Sequence, residues 1–217
     1  GTYLKQLGFN VDYAPVADVL TNPGNTAIGT RSFGSDASMV ADMVIKELEG
    51  LSSQGVFGAV KHFPGQGGVS GDSHDGAVTL DKSLEELMQT ELVPFQKALE
   101  NGVSFVMVGH ISVPQVVGDN TPASLSQMMV SNVLREQLGY QGIVITDAMN
   151  MGAITGTYTA DQAAVMAVNA GVDMILMPQD YETAYNGLLQ AVQDGTISEE
   201  RIDESVERIV KVKLQMQ

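Results

Sequence analysis

The hydrophobic pattern of the chain alternates between two rhythms. Short apolar runs recur at Phe9–Val19, Gly55–Val60, Val103–Val108, Gly142–Thr146 and Asp173–Met177. Runs of this length, rich in β-branched and aromatic residues and apolar at odd and even positions alike, read as strands buried on both faces. Between them, apolar residues are spaced three and four apart, as on a helix with one buried face. One such helix can be capped by Ser35 or Asp36 and is expected to bury Met39, Val40, Met43, Val44, Leu48 and Leu51. A second starts at Ser83, where Ser83-Leu84-Glu85-Glu86 has the form of a capping box. It carries Leu84, Leu87, Leu92, Phe95 and Leu99 inward as far as Asn101-Gly102. Helices Gln127–Leu138 and Ala160–Ala170 stop at Gly139 and Gly171. Thr2–Leu7 before Gly8, Tyr181–Val192, and Glu199–Leu214 with Ser198 as N-cap complete the set.

Strand, loop and helix thus repeat five times, which predicts an α/β fold with a parallel sheet covered by helices. Asp18 and Arg31, Lys61 and His62, His110, and Asp147 all fall at or beyond the C-terminal end of a strand. Parallel α/β folds build their sites on that edge, in open sheets and closed barrels alike. A Rossmann arrangement is disfavoured because no GxGxxG opens a helix after a strand, and a Walker A loop is also missing.

Charge narrows the partners. With 26 acidic against 11 basic residues the net charge is -15, which argues against a nucleic-acid partner and favours a small substrate. There are no cysteines, so disulfides and thiolate metal sites are excluded, and an extracytoplasmic location fits somewhat better than a cytoplasmic one. No apolar run approaches the roughly 20 residues needed to span a bilayer. The chain opens without Met inside a segment that already looks helical, so its native start is expected to lie upstream. At 44% hydrophobic over 217 residues, with no linker, residues 1–217 read as one domain.

The densest chemistry lies in Lys61–His74, which holds two of the chain's three histidines together with Lys61, Asp72 and several glycines. A strand followed by such a loop can deliver polar side chains to a pocket and close over a ligand. Asp72 and His74 are two residues apart, close enough for the carboxylate to orient the imidazole as a general acid/base near neutral pH. Asp147 ends a strongly apolar strand, where a carboxylate costs free energy unless it is compensated or used. It reads as a nucleophile, with capping of the Ala148-Met149-Asn150 turn as the structural alternative. Lys61, His62 and Arg31 can donate hydrogen bonds to hydroxyls. One carboxylate nucleophile, one acid/base and several hydroxyl-binding donors are the parts of a retaining glycosidase. Three scattered histidines are too few for a zinc site, so neither metal nor cofactor is expected.

The strings KHFPGQG, GDSH, ITDAMNMGAI, YAPVADV and IGTRSFG resemble the catalytic domain of glycoside hydrolase family 3, in its β-N-acetylglucosaminidase branch of the NagZ type, over nearly the whole chain and with the motifs in the family's order. The resemblance implies a retaining exo-acting β-N-acetylhexosaminidase for cell-wall muropeptide or chitin-type oligosaccharides. It implies Asp147 as nucleophile, His74 paired with Asp72 as acid/base on a mobile loop, Arg31, Lys61 and His62 as holders of the sugar hydroxyls, and His110 and Met151 as pocket lining. Gln66 stands where the family usually has His, and the family's DQEGG-like segment has no counterpart here. Five strands are visible where a complete (β/α)8 barrel has about eight. The chain is therefore expected to be the C-terminal portion of a TIM-type barrel, completed by a missing N-terminal segment or another chain. Three alternatives stand beside this reading: a β-glucosidase of the same family, a phosphorylase that passes the sugar to phosphate, and a fragment inactive by itself.

Overall fold

In the computed structural model, which describes residues 1–216, five parallel strands lie side by side in chain order. They are β1 (Val11–Asp12), β2 (Phe57–Phe63), β3 (Phe105–Val108), β4 (Ile143–Ala148) and β5 (Met174–Leu176). The helices are α1 (Thr2–Gln6), α2 (Ala37–Ser52), α3 (Leu84–Gln89), α4 (Val93–Glu100), α5 (Pro114–Val117), a π-wound helix (Met128–Gln137), α6 (Gly152–Thr155), α7 (Ala160–Ala170), α8 (Tyr181–Gln193) and α9 (Glu199–Gln215). The strand order never reverses, so the sheet has no switch point of the doubly wound kind. It is instead a run of β/α units from a TIM-type barrel, as the sequence predicts. Among the described residues, β1 and β5 have no strand neighbour on their outer sides. No described helix is long and apolar enough to cross a membrane.

Strand alternation sorts the core into two layers. Val60, Val106, Val108 and Val144 meet the helices, packing with Val40, Val44, Leu87, Phe95, Met129 and Ala167. Each fully buried side chain of this size contributes about 1.5–3 kcal/mol. The other face carries Phe57, Ala59, Phe105, Ile143 and Met174, with Val11 and Tyr13, and it is covered by Ile209 and Val212 of α9 and by Met216 just past its end. Lys61 and Asp147 continue the parity of that inner face, two positions beyond Ala59 and Ile145.

Several elements differ from the sequence expectation for local physical reasons. The run Phe9–Val19 pairs as a strand over Val11–Asp12 only. Pro15 has no N–H to give the ladder, although the segment still follows β2, with Ala14 and Pro15 carbonyls accepting from Ala59 and Lys61. Conversely β2 extends through Phe63, so Lys61 and His62 lie within the strand rather than after it. The helix expected from Ser83 breaks at Thr90–Leu92, because Pro94 in the first turn of α4 cannot continue an uninterrupted ladder. Its capping box forms as predicted, and Asp36 rather than Ser35 caps α2. On α2 the buried face is Val40, Ala41, Val44, Ile45 and Leu51, whereas Met39 and Met43 are each 43% exposed at its margin.

Candidate active site

The C-terminal ends of β1, β2 and β4 bring together a chain of charged groups. Asp18, after β1, is fully buried, and its carboxylate accepts from the His62 and Gln66 backbone N–H groups at 3.3 and 2.7 Å and from His62 Nδ1 at 2.7 Å. A carboxylate can only accept, so Nδ1 of His62 carries the proton. The far side of the same ring, Nε2, lies 3.9 Å from Asp147 Oδ2. The pairing of β2 with β3 shifts register between Val60 and Phe63, the stretch that holds Lys61 and His62. Asp147 Oδ1 accepts from the Ala148 N–H at 2.8 Å, leaving Oδ2 on the His62 side. The Asp147 side chain is 16% exposed, so it is reachable from solvent yet largely desolvated.

Lys61 lies in the same field. Burial pushes its ammonium below the ordinary lysine pKa, the charge of Asp147 opposes this, and that of Arg31 adds to it. His110, after β3, is buried, with Nε2 3.0 Å from the Ala148 carbonyl and Nδ1 2.8 Å from Ser124 Oγ. The carbonyl requires the proton on Nε2, so Nδ1 accepts from the serine hydroxyl. Burial lowers the His110 pKa, which keeps this neutral tautomer. Met151 is buried at the N-terminus of α6.

Asp72 and His74 sit on the loop between β2 and α3. Asp72 Oδ1 accepts from the His74 backbone N–H at 2.9 Å and lies 2.7 Å from His74 Nδ1. The first of these bonds, then the second, hold the Asp72 carboxyl below its ordinary pKa, so the acid stays ionised. His74 Nδ1 therefore donates to it and Nε2 is the free nitrogen, on a side chain 66% exposed. The loop is docked just past Asp147: Gly152 and Ala153 N–H groups donate to the His74 and Ser73 carbonyls at 3.0 and 3.1 Å. Arg31, in the turn Gly29–Arg31, is exposed and donates from Nη2 to the Ala27 carbonyl at 2.6 Å. Its charge reaches both Lys61 and Asp72.

Asp147, His62, Lys61 and His110 thus form one cluster, with the Asp72–His74 pair and Arg31 at its rim; Met151 is tied to the end of β4 by its N–H, 3.2 Å from the Ala148 carbonyl. Sequence reasoning placed Asp18 at a strand end without a role, and did not single out Ser124. Concavities also lie elsewhere on the molecule. One of about 600 Å³ opens at the other end of the strands, around Gly102–Ser104 and Tyr140–Gly142. Its only titratable carboxylate is Glu100 and it has no basic side chain, so it lacks the partners for acid/base chemistry.

Comparison with known proteins identifies the family of the chain. A beta-hexosaminidase, LpqI, of Mycobacterium tuberculosis is 37% identical over 98% of the chain, which spans 56% of that relative's length. The structure of a glycoside hydrolase family 3 beta-N-acetylglucosaminidase from Paenibacillus sp. superposes on 100% of the chain with a TM-score of 0.97 at 42% identity. The chain covers 42% of that structure. A beta-glucoside phosphorylase, BglX, bound to 2FGlc superposes over 97% of the chain with a TM-score of 0.93 at 28% identity, and 39% of it is covered. The chain thus spans about half or less of the length of these relatives. The model of the glycosyl hydrolase family 3 N terminal domain matches residues 1–212. With that match spanning nearly every residue, and the strand-end cluster already in view, the chain belongs to glycoside hydrolase family 3.

Proposed function

We propose that the protein carrying this chain is a retaining exo-β-N-acetylglucosaminidase that removes terminal β-linked N-acetylglucosamine from cell-wall muropeptide or chitin-type oligosaccharides. The observation that carries this reading is the pairing, at one sheet edge, of a fixed carboxylate with an Asp-held imidazole. The Asp147 side chain is largely desolvated, with Oδ2 bordered by His62 Nε2 at 3.9 Å, while the Asp72–His74 loop is hydrogen-bonded to the residues that follow Asp147. The beta-hexosaminidase and beta-N-acetylglucosaminidase relatives support the same substrate class.

The chemistry follows from these groups. Asp147 Oδ2 attacks the anomeric carbon as the bond to the aglycone oxygen breaks, and His74 Nε2 gives that oxygen its proton. Asp72, ionised against Nδ1–H, offsets the charge of the imidazolium before this transfer. In the second half His74 Nε2 takes a proton from water, whose oxygen attacks the anomeric carbon and releases the Asp147 carboxylate. Arg31 and Lys61 donate to the sugar hydroxyls, His62 presents to them the Nε2 acceptor opposite its Asp18-bound Nδ1–H, and His110 and Met151 line the pocket. Asp18 holds the His62 ring in one orientation.

The test is Asp147→Asn in the full-length protein, with p-nitrophenyl β-N-acetylglucosaminide as substrate. Loss of kcat by at least about 1,000-fold with sugar binding retained is expected; unchanged turnover removes Asp147 from the mechanism. One feature favours a second reading: the acid/base is an imidazole, which does not repel an incoming anion as a carboxylate would. Phosphate then competes with water as acceptor. Formation of sugar 1-phosphate on addition of phosphate supports that variant, and release indifferent to phosphate leaves hydrolysis alone. The same assay on the 217-residue chain by itself separates an active domain from an inactive fragment.

A further inference from the structure

The helix break between α3 and α4 turns Glu91 into the protein, where its side chain is fully buried. Its Oε1 receives Lys82 Nζ at 2.5 Å and the Thr21 hydroxyl at 3.5 Å. Oε2 is buried with no hydrogen-bond partner among the described residues. A buried carboxylate with one bare oxygen is costly, and native folds keep such groups sparingly. Packing around it is tight. A Cβ on Gly65 would come within 2.8 Å of Glu91 Cβ, and one on Gly68 within 3.4 Å of Glu91 Oε1 and 2.8 Å of Thr21 Oγ1.

Gly65 and Gly68 form the upstream stem of the loop that carries Asp72 and His74, and Lys82 closes its downstream stem just before Ser83 caps α3. Both ends of the loop therefore converge on one side chain, while its tip rests on Gly152 and Ala153. We propose that Glu91 is a positioning residue: by binding Lys82 and packing against Gly65 and Gly68 it sets the span of the loop, and so where His74 stands relative to Asp147. The inference rests on the reading of His74 as the acid/base.

The test exploits the leaving group. A 2,4-dinitrophenyl aglycone departs without a proton, whereas phenyl needs one, so a misplaced acid raises the ratio of kcat/KM for the first substrate over the second. Both values come from one preparation, so any misfolded fraction cancels. His74→Ala, Glu91→Gln, Lys82→Met and Lys82→Arg are compared in the full-length protein. Glu91→Gln and Lys82→Met are expected to raise the ratio by about 10-fold, with Lys82→Arg close to wild type. A ratio that rises in His74→Ala but stays at the wild-type value in Glu91→Gln and Lys82→Met, whatever their stability, overturns the role of Glu91. A ratio unmoved in His74→Ala overturns the reading of His74 itself, and the positioning role with it.

Discussion

At the residue scale, the site depends on where single protons sit. Asp18 has its oxygens engaged by two backbone N–H groups and the His62 ring, with no exposure to solvent. Replacing it with Asn puts a donor amide where donors already converge. Asp18→Asn is expected to lose about 3 kcal/mol of stability, read from urea unfolding, and to lower kcat/KM because His62 is no longer held. Lys61 yields a pH prediction. Burial favours its neutral form, so it loses its proton at lower pH than an exposed lysine. If its charge holds a sugar hydroxyl, kcat/KM falls along an alkaline limb set by that loss. Lys61→Arg, which stays protonated, is expected to shift the limb to higher pH in a pH–rate profile; an unmoved limb assigns it to another group.

At the scale of elements, the loop after β2 is held by close backbone approach as much as by side chains. A Cβ on Gly67 would lie 2.0 Å from the Val19 carbonyl oxygen, and the Gly67 carbonyl accepts from the Asn22 N–H at 3.2 Å. Gly67→Ala is therefore expected to push the β1 and β2 loops apart at a cost of about 2–3 kcal/mol, visible as a lowered unfolding midpoint. Caps were readable in the sequence: Ser83 with Glu86, and Ser198, each bond the helix start that follows them, and of the two candidates Ser35 and Asp36 it is Asp36 that caps α2. Proline effects were harder to read, since Pro15 shortens β1 and Pro94 splits the second helix without disturbing the hydrophobic spacing around them. That spacing also leaves the centre of a buried face uncertain by one residue, which is how Met39 and Met43 came to lie outside it on α2.

At the scale of the whole molecule, the end of the sheet opposite the site is held by Asp173. Its buried carboxylate accepts from Arg135 at 2.6 Å, Ser205 at 2.7 Å, Arg208 at 3.1 Å and the Val144 N–H at 2.9 Å. It thereby ties β4, the start of β5, the π-wound helix and α9 together. Asp173→Asn would leave several partly buried guanidiniums without their counter-charge, and a loss of about 3–5 kcal/mol is expected by thermal or urea unfolding. Turnover of the folded fraction should change little, because the cluster lies at the far end of the strands from Asp147. A large fall in kcat at full folding would show that the two ends are coupled.

By itself the sequence determined the α/β class, the parallel order of five units and the strand ends at which Lys61, His62, His110 and Asp147 appear. Those features are local: apolar runs, helical spacing and caps act over a few residues. Only the tertiary structure decided that Asp18 and His62, 44 positions apart, share a hydrogen bond, that His110 takes its tautomer from Ser124 and Ala148, and that Glu91 lies beneath the loop of His74. Such contacts depend on register and on where a bent strand or broken helix points a side chain. Hydrophobic periodicity carries no information about either.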